Sequence, residues 1–386
     1  MTRADAPDFR LLHAASYMAL FCVGLYASSF GPVLPFLSDE LDVSLDTAGL
    51  VLTALFIGSI SASASIALVL HGQDTKRLCV AGLAMSAAGI VGLGLAPNFG
   101  LALCAAVVLG VGDGLVVAAA HILMPLTSRN VPAAMNMLNL YFALGAIVGP
   151  VWSGAVLVLT DGYALVYGGI ALMMALTLGA MMLARSGHDI VMGSTEAQFR
   201  APANATTWVM GFVLFMYVGA EFGLGSWVSS YTRETANAGV MASALLASGY
   251  WGALALGRVA AAVYFRREHE ATALLLASVA GAGICTLVLS LSSGDLAVAA
   301  ASAFGAGLFL GPIWPAVLTI VSATTIGSST AATVTMGNAG GIAIPWLQGR
   351  VLVGAGAAQG VAVTAALCAV MFAVVAVFRQ RSGVRV

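Results

Sequence analysis

Long apolar runs separated by short polar segments repeat along the whole chain. Twelve of these runs are long enough to cross about 30 Å of hydrocarbon at about 1.5 Å per residue. The alternation over about ten residues that is typical of membrane β-strands is absent. The pattern predicts an all-α membrane protein whose twelve transmembrane helices span 11–37, 47–70, 78–97, 101–126, 135–159, 163–184, 207–231, 240–265, 271–293, 296–325, 328–353 and 357–378.

The composition agrees with this pattern. Of the 386 residues, 60% are hydrophobic and only 8% are charged, whereas a soluble domain carries about 25% charged residues. The net charge of −1 predicts no basic surface for a nucleic acid. The expected partners are therefore the lipid bilayer and a small-molecule substrate, and we expect the protein to be a monomer.

Basic residues of the loops fall mostly on the side of the predicted bundle that holds the N-terminus. The opposite side has Arg233 and Arg350, beside the acidic segment "SDELD" at 38–42. The positive-inside rule then places both termini in the cytoplasm of a multi-pass protein of the plasma (cytoplasmic or inner) membrane. The basic residues on the N-terminal side are Arg3, Arg10, Lys76, Arg77, Arg129, Arg185, Arg200, Arg266, Arg267, Arg379, Arg381 and Arg385.

The longest polar stretch, 185–206, joins the sixth and seventh runs and separates two halves of six runs each. We therefore predict an N-terminal six-helix bundle over 1–184, a cytoplasmic linker over 185–206 and a C-terminal six-helix bundle over 207–386.

The two halves are related at an offset of 195 residues, at which "GAIVGPVWSG" (145–154) aligns with "GGIAIPWLQG" (340–349). One offset that serves several pairs of helices predicts duplicated bundles related by an axis along the membrane normal. The further glycine pairs at this offset are Gly24 and Gly219, Gly110 and Gly305, and Gly112 and Gly307.

Three segments resemble a known family: "YVGAEFGLGSW" (217–227), "YWGALALGR" (250–258) and "NMLNLYFALGAIVGP" (136–150). Two six-helix halves with a cytoplasmic linker resemble the major facilitator superfamily over the whole chain. The three segments resemble its branch of fucose- and glucose-type sugar symporters. This resemblance implies two pseudo-symmetric bundles that work by alternating access, with the substrate bound near the midplane between the bundles.

Glu221 is the only charged residue between Thr207 and Tyr231. A charged side chain at the bilayer centre costs roughly 2.5–3.5 kcal/mol on insertion scales, so it needs a partner or a water-filled cavity. Tyr217, Gly219 and Glu221 match a Tyr-x-Gly-x-Glu pattern of the symporter branch, which implies that they line the cavity. We interpret Glu221 and Tyr217 as binding a proton or substrate hydroxyls; a structural carboxyl bonded to a neighbouring helix is the alternative.

Asp113, midway along the fourth run, is the only acidic residue that we expect to be buried in the first half. It could bind the coupling ion or cap a neighbouring helix. The symporter branch holds its acid on helix one or one turn further along helix four, where this chain has Val117. His121 follows at a position where the branch often has Asn. It could relay protons or bind substrate, or donate to a backbone carbonyl.

Amides and tryptophans complete the candidate substrate site. Asn136 and Asn139 share one face of the fifth run, and Asn338 lies on the eleventh. Amides suit hydroxyl recognition, but they also join helices. Trp251 and Trp314 could stack on a sugar ring, although core packing or the interfacial belt is the commoner use of Trp.

Candidate gate residues follow from the resemblance. The segment "HGQDTKR" (71–77) lies where the superfamily has a Gly-x-x-x-Asp-Arg-x-Gly-Arg type motif at its cytoplasmic gate, and its central Arg and Gly are missing here. Arg258 lies at the matching point of the second half. Asp74, Arg77 and Arg258 are therefore gate candidates, and charges that snorkel at helix ends are the alternative.

These features predict a secondary transporter and not an enzyme. The chain has no GxxxxGK[ST] segment for ATP, no cluster of metal ligands and no nucleophile–base pair at matching depth. We expect no cofactor, with a proton or sodium as the coupling ion. The leading hypothesis is proton-coupled uptake of a sugar-like polyhydroxylated solute. The alternatives are a proton-driven exporter of a drug or amphipathic metabolite, and a membrane receptor that senses a ligand.

Overall fold

The computed structural model of the protein describes residues 9–68, 74–160, 162–185, 204–267, 269–292, 294–324 and 328–382. Nearly all of these residues are helical. The helices in this part of the chain are α1 (Arg10–Glu40), α2 (Leu45–Ala48), α3 (Leu50–Leu68), α4 (Thr75–Gly94), α5 (Phe99–Thr127), α6 (Val131–Thr160), α7 (Ala164–Leu183), α8 (Ala205–Ala236), α9 (Val240–Phe265), α10 (Ala271–Ser290), α11 (Leu296–Leu310), α12 (Ile313–Thr324), α13 (Ser328–Ala355) and α14 (Ala357–Ser382).

Each of the twelve predicted runs overlaps one or two helices of the described part of the chain, and this confirms the all-α fold class. Eleven spans of the described residues are long and apolar enough to cross a membrane, and α13 is not among them. Two runs are divided in their described parts: the run predicted over 47–70 overlaps α2 and α3, and the run predicted over 296–325 overlaps α11 and α12. The second break falls at Gly311 and Pro312, because proline has no N–H to continue the helical hydrogen bonds.

Polar residues at the ends of the runs set the helix boundaries. Asp74, Asn98, Asn204 and Asp295 each accept a hydrogen bond from a backbone N–H in the first turn of α4, α5, α8 and α11. Such N-caps satisfy donors that have no partner within the helix. Asn237 ends α8 in the left-handed conformation, with φ of 48°, which turns the chain sharply into α9.

The chain packs into two compact units. The second unit contains the C-terminal part of α1, α2 and the start of α3 together with α8 to α14. The two units are thus defined by which helix ends pack together, whereas the predicted division at 185–206 was placed at a polar segment of the chain. Most of that segment lies outside the described residues. The first unit comprises Met1–Ala27, Ala54–Gly149 and Thr160–Thr195, and the second comprises Ser28–Thr53, Pro150–Leu159 and Glu196–Val386.

The same helix crossing recurs in both units at the glycines that the repeat aligned. In the first unit, a Cβ on Gly145 of α6 would lie 2.0 Å from the backbone oxygen of Phe21 in α1. In the second unit, a Cβ on Gly340 of α13 would lie 1.8 Å from the backbone oxygen of Phe215 in α8. Only glycine permits backbones to approach so closely, and small residues are typical of helix contacts in membranes.

Much of the protein surface is apolar. Leu172 of α7, Leu256 of α9 and Ile284 of α10 all expose more than half of their surface. Exposed apolar side chains on this scale mark an interaction surface, and on long apolar helices they suit contact with lipid.

Candidate functional site

Glu221, the carboxylate inside the apolar run of α8, forms an ion pair with Arg258 of α9. Nη2 of Arg258 donates to Oε1 of Glu221 at 2.8 Å. The side chain of Glu221 is 3% exposed and that of Arg258 is 29% exposed. Each charge therefore has its counter-charge within the same unit, which lowers the cost of holding both between membrane helices.

The antiparallel arrangement of α8 and α9 brings these two side chains together. Glu221 lies fifteen residues before the end of α8, and Arg258 lies eighteen residues after the start of α9. Their axial positions, counted from the short connection between the helices, differ by about 4.5 Å. Because helical side chains lean toward the N-terminus of their own helix, the two side chains lean toward each other.

Two tyrosines surround this ion pair. The hydroxyl of Tyr217, one turn before Glu221, lies 3.5 Å from Nη2 of Arg258. The hydroxyl of Tyr250 donates to the backbone oxygen of Glu221 at 2.9 Å. Both tyrosines are fully buried. We call Tyr217, Glu221, Tyr250 and Arg258 the Glu221 cluster; it combines a cation, a carboxylate and hydroxyls in one place.

The two candidate tryptophans take different positions beside the cluster. The ring of Trp314, at the start of α12, lies 6.3 Å from that of Tyr217 and is partly exposed. Trp251 is only 2% exposed and packs edge-on against Phe222 and Tyr250. Its Nε1 is buried without a hydrogen-bond partner among the described residues. Trp314 therefore keeps part of its side chain exposed, whereas Trp251 belongs to the core.

Asp113 of α5, in the first unit, is held by hydroxyls instead of a cation. The hydroxyl of Tyr26 in α1 donates to its Oδ1. Oγ of Ser59 in α3 donates to its Oδ2 at 2.8 Å. No ion pair joins this half-buried carboxyl to any of the described residues. Asp113 and Glu221 thus have opposite surroundings, although both were singled out from the sequence as intramembrane acids.

The remaining polar candidates are less enclosed. Nδ1 of His121 lies 2.7 Å from the backbone oxygen of Val117, one turn earlier in α5. Nδ2 of Asn139 donates to the backbone oxygen of Met135 at 3.0 Å. Each hydrogen bond lies within a single helix, so neither of them links two helices. Asn136 and Asn139 are exposed, and His121 and Asn338 are half-buried.

The gate candidates are found in two separate arrangements. Asp74 caps α4, and its Oδ2 lies 3.6 Å from Nε of Arg77, whose side chain is 85% exposed. Lys76 donates to the backbone oxygen of Met182, near the C-terminal end of α7, at 3.2 Å. Arg258 instead pairs with Glu221. The gate role of these residues stays a prediction.

One expectation about the first half was wrong: Asp113 is not its only buried acid. Asp46 of α2 has a side chain that is 6% exposed, and its Oδ2 lies 2.8 Å from Nη1 of Arg350 in α13. Both residues belong to the second unit. The sequence pattern assigned Asp46 to a polar segment between helices, and burial followed only because α2 packs against α13.

Sequence reasoning also missed Tyr26, Ser59 and Tyr250 as hydrogen-bond partners of the two acids. Their pairing depends on how each helix is rotated against its neighbour, which apolar runs do not encode. The similar depth of Glu221 and Arg258, although not their contact, did have a signal in the sequence. Counting residues outward from the short 237–239 connection places both charges at similar depth.

Comparisons with known proteins agree with this architecture. The family model of the Major Facilitator Superfamily matches residues 16–345. Bypass of stop codon protein 6 of Saccharomyces cerevisiae is 30% identical over an alignment of 179 residues, and the match covers 42% of this chain and 36% of that protein's length. The match therefore spans about a third of that relative.

Solved structures with similar folds cover nearly the whole chain. A mutant of the nucleoside transporter NupG has a TM-score of 0.76 at 11% identity, over 95% of this chain and 99% of its own. A bacterial homologue of the human lysosomal transporter Spinster has a TM-score of 0.78 at 14% identity, over 98% of both chains. A mutant of the E. coli fucose:proton symporter FucP has a TM-score of 0.62 at 17% identity, over 96% of this chain and 98% of its own.

Proposed function

The chain belongs to the Major Facilitator Superfamily and is a multi-pass membrane transporter, not an enzyme; on this premise, we propose that it takes up a small polyhydroxylated solute together with protons. The proposal rests on the contrast between two carboxyls within membrane helices. Glu221 has a cation at 2.8 Å, whereas Asp113 has only hydroxyl donors among the described residues. The two acids therefore suit different tasks.

Asp113 is the proposed proton-binding group. A carboxylate at bilayer depth without a counter-charge is costly, and binding a proton removes that charge. The hydroxyls of Tyr26 and Ser59 hold the two oxygens of Asp113 in place. Each hydroxyl has lone pairs as well as a proton, so either can turn to accept from a protonated carboxyl. This geometry supports both protonation states at one position.

The Glu221 cluster is the proposed site for the solute. Its ion pair has little net charge, so it favours a neutral solute over an anion or cation. Arg258 supplies donors and Glu221 supplies acceptors for hydroxyl groups, and the partly exposed ring of Trp314 lies next to Tyr217. Fucose and nucleosides, named for two transporters of similar fold, are themselves polyhydroxylated, which supports this solute class.

The proposed setting follows from the charges of the polar segments. We place the protein in a cytoplasmic or inner membrane with both termini in the cytoplasm, because basic residues concentrate on the N-terminal side. The proposed partners are the solute, protons and the bilayer. The transporter is proposed to act as a monomer without a cofactor. The exposed Asp74 and Arg77 remain gate candidates on this proposed cytoplasmic side.

The test uses purified protein in liposomes with an imposed proton gradient and a panel of sugars and nucleosides. At least one solute should accumulate with the gradient and collapse it in a solute-dependent manner. Asp113→Asn should abolish accumulation but retain exchange of labelled for unlabelled solute, since exchange requires no net proton movement. Asp295→Asn, at an exposed N-cap where Asn serves as well as Asp, is the matched control.

Either of two results would contradict the proposal. If Asp113→Asn accumulated solute as the wild type does, protons would not be coupled through Asp113. If no sugar or nucleoside moved while an amphipathic compound was extruded with the same gradient, the protein would be an exporter.

A further inference from the structure

A surface pocket lies where α9 ends, and none of its lining residues belongs to the Glu221 cluster. It has a volume of about 290 Å³ and is lined by Ala260, Val263, Tyr264, Arg267 and His269. The lining therefore changes from small apolar side chains to an aromatic ring and then to basic side chains along about two helical turns. A ligand that fills it needs an apolar part and a polar, anionic part.

The apolar side of the pocket continues along the outer face of α9. Leu256, Val259 and Val263 recur at helical spacing on one face, and they expose 55%, 60% and 49% of their surface. This face runs from the pocket toward the middle of the helix. In a membrane protein, such a strip is in contact with lipid acyl chains.

The polar side of the pocket is held in position by local contacts. The hydroxyl of Tyr264 donates to the backbone oxygen of Glu270 at 3.2 Å. The ring of Tyr264 lies 4.8 Å from that of His269, measured between centroids. An amphipathic aromatic ring at the end of a membrane helix is typical of the headgroup region of a bilayer.

The basic groups beside this ring are available to an anion. Glu270, the nearest described carboxylate in the chain, is paired with Arg379 at 2.9 Å. The guanidinium of Arg267 has neither a hydrogen bond nor an ion pair with the described residues, and it is exposed. Glu268, between Arg267 and His269 in the chain, lies outside the described residues.

We propose that this pocket binds an anionic phospholipid, with its phosphate at Arg267 and His269 and one acyl chain along Leu256, Val259 and Val263. Basic pockets at the ends of membrane helices bind anionic headgroups through charge and hydrogen bonds. A free phosphate would use the basic residues but leave the apolar strip unused. A zwitterionic lipid would fill the strip but lack net charge to balance Arg267. This inference does not depend on the proposed solute or on proton coupling.

The test measures the melting temperature of the purified full-length protein in a neutral detergent as lipid is added. Phosphatidylglycerol should raise the melting temperature of the wild type by mass action, and phosphatidylcholine should raise it much less. Arg267→Gln should lose most of this rise, and Arg267→Lys should keep part of it. Arg266→Gln removes the neighbouring charge, which does not line the pocket, and should behave as the wild type.

Three results would overturn the proposal. Equal losses in Arg266→Gln and Arg267→Gln would show a diffuse basic surface instead of a pocket. An equal rise with glycerol phosphate would show binding of a free anion instead of a lipid, and an equal rise with phosphatidylcholine would show that charge plays no part. If Arg267→Gln does not fold, Val263→Glu replaces it, and native mass spectrometry counts the phosphatidylglycerol molecules that this variant retains. One molecule fewer than in the wild type supports the pocket, and an unchanged count contradicts it.

Discussion

Asp46 and Arg350 form an ion pair of 2.8 Å between α2 and α13, although 304 positions separate them in the chain. Nearby, Oγ1 of Thr53 donates to the backbone oxygen of Ile342 at 2.7 Å. The segment 28–53 thus joins the second unit through polar bonds as well as apolar packing. The ion pair and this hydrogen bond therefore tie α2 and the start of α3 to α13 within that unit.

We expect the two charges of this pair to act as a unit in stability. Asp46→Asn and Arg350→Gln should each lower the melting temperature, and the double variant should lower it by less than the sum, because each single change leaves one charge without its partner. The measurement is a double-mutant cycle of thermal unfolding in detergent. Asp74→Asn is the control, since Asn still caps α4 and the partner of Asp74 is exposed; its effect should stay within about 0.5 kcal/mol. Additive effects at Asp46 and Arg350 would contradict the expectation.

The Glu221 cluster predicts an asymmetry between its two charged members. Arg258→Gln leaves a carboxylate that is 3% exposed without a cation, whereas Glu221→Gln leaves an arginine that is 29% exposed and therefore less enclosed. Arg258→Gln should therefore lower the free energy of unfolding more than Glu221→Gln does. Its loss should be about 3–5 kcal/mol, the range for breaking a buried pair. Thermal unfolding of both variants and of the double variant checks this. Equal losses from the two single changes would show that the exposure of Arg258 does not matter.

Substitutions of Trp314 and Trp251 should distinguish a role in solute binding from a role in core packing. Trp314→Ala should raise the KM for the transported solute with a small change in melting temperature, because its ring is partly exposed beside Tyr217. Trp251→Ala should lower stability by about 3–5 kcal/mol, because it removes a buried ring. Transport kinetics and thermal unfolding, measured on the same preparations, distinguish these outcomes. A larger loss of stability in Trp314→Ala than in Trp251→Ala would reverse the assignment.

The recurring helix crossing predicts which glycines tolerate a side chain. Gly340→Ala should greatly reduce the yield of folded protein, because its Cβ would lie 1.8 Å from a backbone oxygen of α8. Gly168→Ala in α7 has nothing within 4 Å of the added Cβ and should be neutral or stabilising by up to about 1 kcal/mol. Size-exclusion profiles and thermal unfolding test the pair. A folded, fully stable Gly340→Ala would show that α8 and α13 can separate at no cost.

Several features of the fold followed from the sequence alone. The runs that became α4, α5 and α7 were predicted to within a few residues, since a membrane helix must satisfy its backbone hydrogen bonds internally and needs a fixed apolar length. The offset of 195 residues also identified Gly145 and Gly340, which make corresponding crossings. The break between α11 and α12 had a local cause in Pro312.

The site was only partly predictable. The sequence identified Glu221 and Asp113, because a carboxyl stands out in an apolar run. It gave them the same role, since periodicity shows a residue's depth and face but not its neighbour. Asp46 was missed because its burial comes from contact with another helix.

The sequence by itself determined that this chain is a bundle of membrane helices with two acids at depth, because the length and apolarity of each run are local properties. Only the tertiary structure decided that Glu221 meets Arg258, that Asp113 meets Tyr26 and Ser59, and that Asp46 is buried against Arg350. The physical reason is that a polar group's partner depends on the rotation and axial register of the packed helices. Many residues that are far apart in the chain jointly determine this rotation and register.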